Sequence, residues 1–193
     1  MIEFPNQRQG CYTARPLPDG RPQPHRPMHR TDTDFMDLAL RIAADAGTRG
    51  EVPIGAVVVH EGEVVSFAAN RRERDQDPTA HAEVLALREA GRVLNSWRLN
   101  DCTLYVTLEP CPMCMGAAIN ARLGRLAFAC RDPKAGAAVS LYALGHDERL
   151  NHRMIVSEGM RRDQASQLLS GFFAALRRND PPEVTAIEAA QAA

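Results

Sequence analysis

Apolar residues recur along this chain with two different periods. In residues 33–46, Phe35, Leu38, Ile42 and Ala46 fall three or four positions apart, the spacing that lines one face of an α-helix. Thr31, Asp32 or Thr33 is placed to cap it, because a short polar side chain accepts from the first unpaired backbone N–H groups. Residues 54–60 then form a β-branched run, Glu61-Gly62 signals a tight turn, and residues 64–69 supply the second arm of a hairpin. Asp77-Pro78-Thr79 marks a helix start, and residues 81–94, rich in Ala, Leu, Glu and Arg, predict the helix. A strand follows over 104–108. Residues 112–121 predict a small-residue helix opened by proline, which suits a first turn because the N–H it lacks has no partner there. Residues 123–130 hold another strand, 154–157 a fifth, and 164–178 a closing amphipathic helix. Strands alternating with helices imply a helix-covered sheet, partly parallel and opened by a hairpin.

Composition changes this picture only at the ends. Of thirteen prolines in 193 residues, six fall in residues 1–30, together with five arginines against Glu3 and Asp19. A Pro-rich, apolar-poor segment buries too little surface to offset chain entropy, so residues 1–30 are expected to be a flexible arm. Residues 31–178 are the expected domain, and 179–193, with Pro181-Pro182 and an Ala-rich run, a tail. No apolar run approaches the ~18–20 residues of a membrane span. The five cysteines are too few and odd in number for a disulfide scaffold, which points to a reducing, cytoplasmic setting. A net charge of −1 excludes a polycationic nucleic-acid coat but leaves room for a local basic patch.

Two short segments carry candidate chemistry. His81-Ala82-Glu83 opens one predicted helix, and Pro110-Cys111-Pro112-Met113-Cys114 opens the next. Alone, the C-x-x-C pair fits a redox couple, half of a structural zinc site or part of a catalytic one. A helix start favours the thiolate in all three. A structural zinc site needs four protein ligands, usually from paired clusters, and no second C-x-x-C exists; Cys11, Cys102 and Cys130 stand apart. His81 offers a third donor, leaving one tetrahedral position open, as catalytic sites do. Glu83, two residues on, faces the same place without needing to ligate and is a candidate proton shuttle. The combined H-x-E … P-C-x-x-C pattern is the signature of zinc-dependent nucleobase deaminases.

The chain resembles the bacterial tRNA-specific adenosine deaminases of the cytidine deaminase superfamily. The likeness runs from about Phe35 to Arg178. It rests on Glu51-Val52-Pro53-Ile54-Gly55-Ala56-Val57, Asp77 to Glu83, Leu104 to Cys114, Arg131 to Ala137 and Leu150-Asn151-His152-Arg153. The resemblance implies an α/β fold: a three-layer α/β/α sandwich with a mixed, roughly five-stranded sheet. It implies hydrolytic conversion of adenosine to inosine at the wobble position of the tRNA anticodon arm, with an arginine tRNA as the expected partner. One Zn2+ per subunit would be held by His81, Cys111 and Cys114, with Glu83 moving protons. Asn70 would hydrogen-bond the purine, Ile54 and Leu108 would wall the pocket, Asp132 would meet a neighbouring sugar, and Phe172 and Phe173 would lie near RNA. Each has a plainer reading as a turn or core residue. Arg131, Lys134, Arg153, Arg177 and Arg178 form the expected RNA patch, although Arg177 and Arg178 stand one residue C-terminal to the family's pattern. Arg71, Arg72, Arg74 and Arg149 are further candidates for that patch; a charge run such as Arg71-Arg72-Glu73-Arg74 is most often only a solvated face, and it is the resemblance, not the charge count, that raises it. The resemblance also implies a homodimer. The rival activity is a free-base deaminase such as guanine deaminase, which shares the metal motif but has no flanking nucleotides to contact.

Overall fold

The computed structural model describes residues 30–178; the arm over 1–29 and the tail over 179–193 lie outside the described residues. The chain runs α1 (Asp32–Thr48), β1 (Gly55–His60), β2 (Glu63–Ala69), α2 (Arg72–Asp75), α3 (Ala82–Val93), β3 (Cys102–Leu108), α4 (Pro112–Asn120), β4 (Arg125–Cys130), a single 3₁₀ turn (Leu144–His146), β5 (Ile155–Glu158) and α5 (Arg162–Arg178). The five strands form one sheet in the order β2-β1-β3-β4-β5. β1 is antiparallel to both β2 and β3, whereas β3, β4 and β5 run parallel. The sheet is therefore mixed, and helices cover both faces.

Alternation along the central strands divides the core. Ala56, Val58, Leu104, Val106, Leu126 and Phe128 point to the face packed by α3 and α4. Val57, Val59, Tyr105, Ala127 and Ala129 point to the face packed by α1 and α5. Central strands buried on both sides read as continuous apolar runs, as Val57-Val58-Val59 does.

Local chemistry explains the boundaries. Thr31 caps α1 through a reciprocal capping box with Asp34, which places the helix start at Asp32, one residue earlier than the expected segment. Glu61 and Gly62 take left-handed backbone angles at the β1–β2 turn, φ 51° and 80°, the geometry that suits the twist of a two-residue hairpin. Gly55 is obligatory for another reason: a Cβ there would fall on the Ala39 carbonyl oxygen and 2.8 Å from the Ala43 nitrogen, so its absence lets α1 lie against β1. Across the sheet, Arg125 grips Asp32 at the start of α1 with contacts of 2.6 and 3.0 Å, and the Tyr105 hydroxyl donates to the same carboxylate at 2.5 Å. Arg161 pairs with Asp37 at 2.7 Å and ties α5 to α1.

Candidate active site

Two helix starts converge at one edge of the sheet. His81 is the N-cap residue of α3 and Cys111 the N-cap residue of α4, yet neither side chain caps its own helix. Cap positions usually hold Ser, Thr, Asp or Asn; here they aim a ring nitrogen and a thiol outward. His81 Nδ1 lies 3.8 Å from Cys111 Sγ and 3.4 Å from Cys114 Sγ, and the two sulfurs are 3.6 Å apart. A tetrahedral ion with metal–sulfur bonds near 2.3 Å and metal–nitrogen bonds near 2.0–2.1 Å spaces such donors about 3.5–3.8 Å apart. The donor set thus fits a zinc-sized ion, and these three residues form a possible metal-holding group.

The electrostatics suit a ligand set. Contact with the Cys114 sulfur, reinforced by His81 and the Cys114 N–H, lowers the Cys111 thiol to about 4. Cys114 is pushed upward by the same sulfur contact and by burial. The Cys111 sulfur raises the His81 imidazole against the effect of its burial. Glu83, 4% exposed, has its carboxyl raised chiefly by burial, and its Oε2 is fully buried without a hydrogen-bond partner among the described residues. An orphaned buried carboxylate oxygen is costly to keep, and this one faces the cavity that His81 and Cys111 also line.

That cavity has a volume of about 680 Å³. Ile54 and Leu108 form part of its wall, and Asp132, Arg131, Lys134, Phe173 and Arg177 also border it. Not every expected residue is there. Asn70 is buried and not itself part of the lining, but its N–H donates to the carbonyl of the wall residue Ile54 at 2.9 Å and its Nδ2 to Glu51 at 3.0 Å. Phe172 is outside the lining and meets Phe173 edge to face, with ring centroids 5.4 Å apart. Arg131 is bound through two nitrogens by Glu158, at 2.7 and 2.6 Å. Arg153 lies away from the cavity and pairs with exposed Glu148 at 3.4 Å. Arg178 is likewise outside the lining. Asn151 and His152 serve the chain itself: Asn151 accepts from Arg122 at 2.7 Å, and His152 Nε2 lies 2.7 Å from the Leu123 carbonyl oxygen.

Two acids to which the sequence reading assigns no role organise this region: Glu109 lines the cavity, and Glu51 holds the turn at Glu73 and Arg74. Glu109 is 2% exposed. Its Oε1 accepts from the backbone N–H groups of Ala138, Val139 and Ser140 at 3.1, 2.7 and 2.8 Å. Its Oε2 accepts from the Asp132 N–H at 3.0 Å and from the Ser140 hydroxyl. Burial works to raise this carboxyl, but the bonds from Ser140, Val139 and Asp132 prevail and hold it below the ordinary value. The loop over 131–140 is thus wound around one carboxylate. Asp132 in turn accepts from Lys134 and Ala135 N–H groups at 2.9 and 3.2 Å, closing an Asx turn. Glu51 does the same on the other side, receiving Asn70 Nδ2, the Glu73 N–H at 3.3 Å and the Arg74 N–H at 2.7 Å. Neither acid belongs to a motif with a chemical signature. The one available signal is a carboxylate placed just before Val52-Pro53 or Pro110 in otherwise apolar strand ends.

Comparison with known proteins agrees with this geometry. A family model of MafB19-like deaminases matches residues 30–177. The tRNA-specific adenosine deaminase of Bacillus subtilis is 45% identical over 147 residues, covering 76% of this chain and 91% of that protein. A solved structure from a study of A-to-I editing by tRNA:A34 deaminases at the wobble position of transfer RNA superposes with a TM-score of 0.68. It is 42% identical and covers 70% of this chain and 98% of its own. A guanine deaminase from Nitrosomonas europaea is similar in fold, with a TM-score of 0.65 at 26% identity over 75% of this chain and 85% of that one.

Proposed function

This chain belongs to the tRNA-specific adenosine deaminases, and we propose on that premise that its cavity hydrolyses adenosine to inosine at the wobble position of a tRNA anticodon. The observation that carries the reading is the triangle of His81 Nδ1, Cys111 Sγ and Cys114 Sγ beside the unpartnered Glu83 oxygen. Relatives from Aquifex aeolicus, Bacillus subtilis and Streptococcus pyogenes, at 48, 45 and 40% identity, bear the name of this activity, whereas the guanine deaminase likeness is fainter.

His81, Cys111 and Cys114 would hold one zinc ion, whose chemistry is to acidify a water so that a nucleophile forms near neutral pH. Glu83 performs the proton work. Burial raises the proton affinity of its carboxylate, which takes a proton from the attacking water and delivers it to N1 of the adenine ring as the water oxygen bonds to C6. The proton of the new C6 hydroxyl then passes through the same carboxylate to the exocyclic nitrogen, and the C6–N bond breaks to release ammonia and leave the C6 carbonyl of inosine. The balance is adenosine and water to inosine and ammonia. A base in a single-stranded anticodon loop costs less to extrude into a cavity than a paired one. Ile54 and Leu108 would wall the purine, with Asn70 orienting it, and Asp132 and Phe173 would meet the adjoining nucleotides. An arginine tRNA, a homodimeric enzyme and a cytoplasmic setting complete the proposal; among the described residues, no helix is long and apolar enough to cross a membrane.

The test is inosine formation in an anticodon stem-loop carrying a wobble adenosine, with free guanine and cytidine in parallel. Inosine confined to the wobble position is the expected result. Ammonia released only from guanine would transfer the same chemistry to a free base and overturn the tRNA assignment. Sedimentation of the protein at micromolar concentration tests the dimer.

A further inference from the structure

The Arg71-Arg72-Glu73-Arg74 run resolves into three different environments. Arg71 is spent on Asp75, with nitrogens at 2.8 and 2.5 Å from one carboxylate oxygen. Arg74 is 67% exposed, lies 3.7 Å from Asp75 and does not border the cavity. Arg72 alone of the three lines the cavity with His81 and Glu83. Its nearest acid is Glu73, 4.0 Å away and 68% exposed, so its guanidinium stays largely uncompensated at the mouth of an apolar-walled site.

The turn that presents Arg72 is held on both sides. The Glu51 carboxylate receives the Asn70 side chain and the N–H groups of Glu73 and Arg74, which bracket residue 72. The Arg71 N–H donates to the Ala80 carbonyl at 3.0 Å, next to His81. A turn of four helical residues would otherwise fray; here the backbone under Arg72 is pinned from inside.

Its position relative to the other cations follows from the strand order. Arg72 follows β2, the edge strand on one side of the cavity. Lys134 follows β4, and Arg177 lies on α5, which packs against β4. Ile54 before β1 and Leu108 at the end of β3 lie between them. Arg131, the remaining cation of the lining, is neutralised by Glu158. Among the described residues, Lys134 and Arg177 have no ion-pair partner and Arg72 has only the exposed Glu73 at 4.0 Å, so three weakly compensated positive groups flank the cavity mouth, one on the β2 side and two on the β4 side.

A target nucleotide drawn into such a cavity leaves the phosphates on either side of it outside, at the rim. We propose that Arg72 is a further substrate-binding residue, taking a backbone phosphate of the RNA strand on the β2 flank while Lys134 and Arg177 face the strand from the β4 flank. The assignment rests on the reading of RNA as substrate. A guanidinium matches phosphate geometry through two parallel N–H bonds, and the half-exposed Arg72 loses no structural partner in turning toward one.

The experiment is steady-state deamination of the anticodon stem-loop by Arg72→Gln, Arg72→Lys and Arg74→Gln over a series of KCl concentrations, with zinc content and Tm measured on each. Arg72→Gln is expected to raise KM about five- to tenfold with kcat within about twofold, the scale of losing one charged hydrogen bond at a partly solvated site. The salt dependence of log kcat/KM is expected to become shallower by about 0.7, the slope of one single-strand phosphate contact. Arg72→Lys should keep the salt slope, and Arg74→Gln, which removes the same charge two residues away, should behave as the parent. Equal effects of Arg72→Gln and Arg74→Gln overturn the assignment, as does an Arg72→Lys variant with the shallower slope. A parent enzyme active on guanine but not on the stem-loop overturns the RNA reading itself; an active parent matched by Arg72→Gln overturns only the role of Arg72.

Discussion

Glu109→Gln isolates the part played by the carboxylate around which the 131–140 loop is wound. The amide keeps the shape of the side chain but has one acceptor in place of two. Its oxygen best serves the three N–H groups of Ala138, Val139 and Ser140. Its NH2 then faces the Asp132 N–H and the Ser140 hydroxyl. The hydroxyl rotates and accepts, but the Asp132 N–H meets a donor and has no escape. A hydrogen bond to a charged group is worth about 1.5–3 kcal/mol net, and the three retained bonds also lose their charge assistance. We expect a loss of about 2–3 kcal/mol, which in a domain of this size lowers Tm by about 4–10 °C. Calorimetry on zinc-loaded protein measures the first quantity and hydrogen exchange at the Asp132 amide the second. A Tm within about 2 °C of the parent, with the Asp132 amide equally protected, would refute the view that this carboxylate organises the loop.

Glu83→Ala is expected to retain zinc and lose about 10²–10⁴-fold in turnover, the usual worth of a positioned proton carrier; metal analysis beside inosine counting separates the two roles. Cys114→Ser should instead lose the metal and activity together, and dialysis against a chelator should reproduce that loss in the parent, reversibly on adding zinc. Gly55→Ala should cost about 1–3 kcal/mol or more, because its Cβ would collide with Ala39 and force α1 off the sheet; urea denaturation reads it. Hydrogen bonding from Arg125 holds the Asp32 carboxyl below its ordinary value. The stability this contributes is present above the unfolded carboxylate pKa of about 3.9 and is lost as pH falls through the lower folded value. Asp32→Asn should therefore narrow the difference in unfolding free energy between pH 6 and pH 3, read from urea denaturation, by about 1 kcal/mol or less because the pair is partly solvated.

What the sequence reveals here follows the range of the interaction. The major helices and all five strands are legible because their signals are local: the spacing of Phe35, Leu38 and Ile42, the β-branched run before Glu61-Gly62, proline at the start of α4. The metal-ligand candidates are legible for the same reason, since each motif sits within one helix start. α2 is not legible. Its four residues carry no apolar period, and it exists because Glu51, 22 and 23 positions away, receives its N–H groups. Glu51 and Glu109 are silent in the sequence because their partners are mostly backbone amides, which every residue type but proline supplies. The arginines are sorted by equally distant partners: Arg131 is claimed by Glu158, 27 residues on, while Arg72, in a run that reads as a solvated face, is left at the cavity. Of the two phenylalanines, only helix phase decides that Phe173 borders the cavity and Phe172 does not.

The reversal of direction between β1 and β3 has one more effect. Because β1 runs away from the cavity and β3 runs back toward it, His60 pairs with Cys102 at one end of the sheet while Ile54 and Leu108 meet the cavity at the other. Six residues of strand, about 20 Å at the usual rise, separate the Glu61-Gly62 turn from the metal donors. The molecule is in this sense bipolar. Among the described residues, the strand-to-helix connections that carry the metal donors leave from one pole, while the hairpin tip at the opposite pole joins two strands and contributes nothing to the cavity lining. A lineage is free to lengthen, charge or decorate that tip, and so to acquire new attachments there, without renegotiating the geometry of its donors.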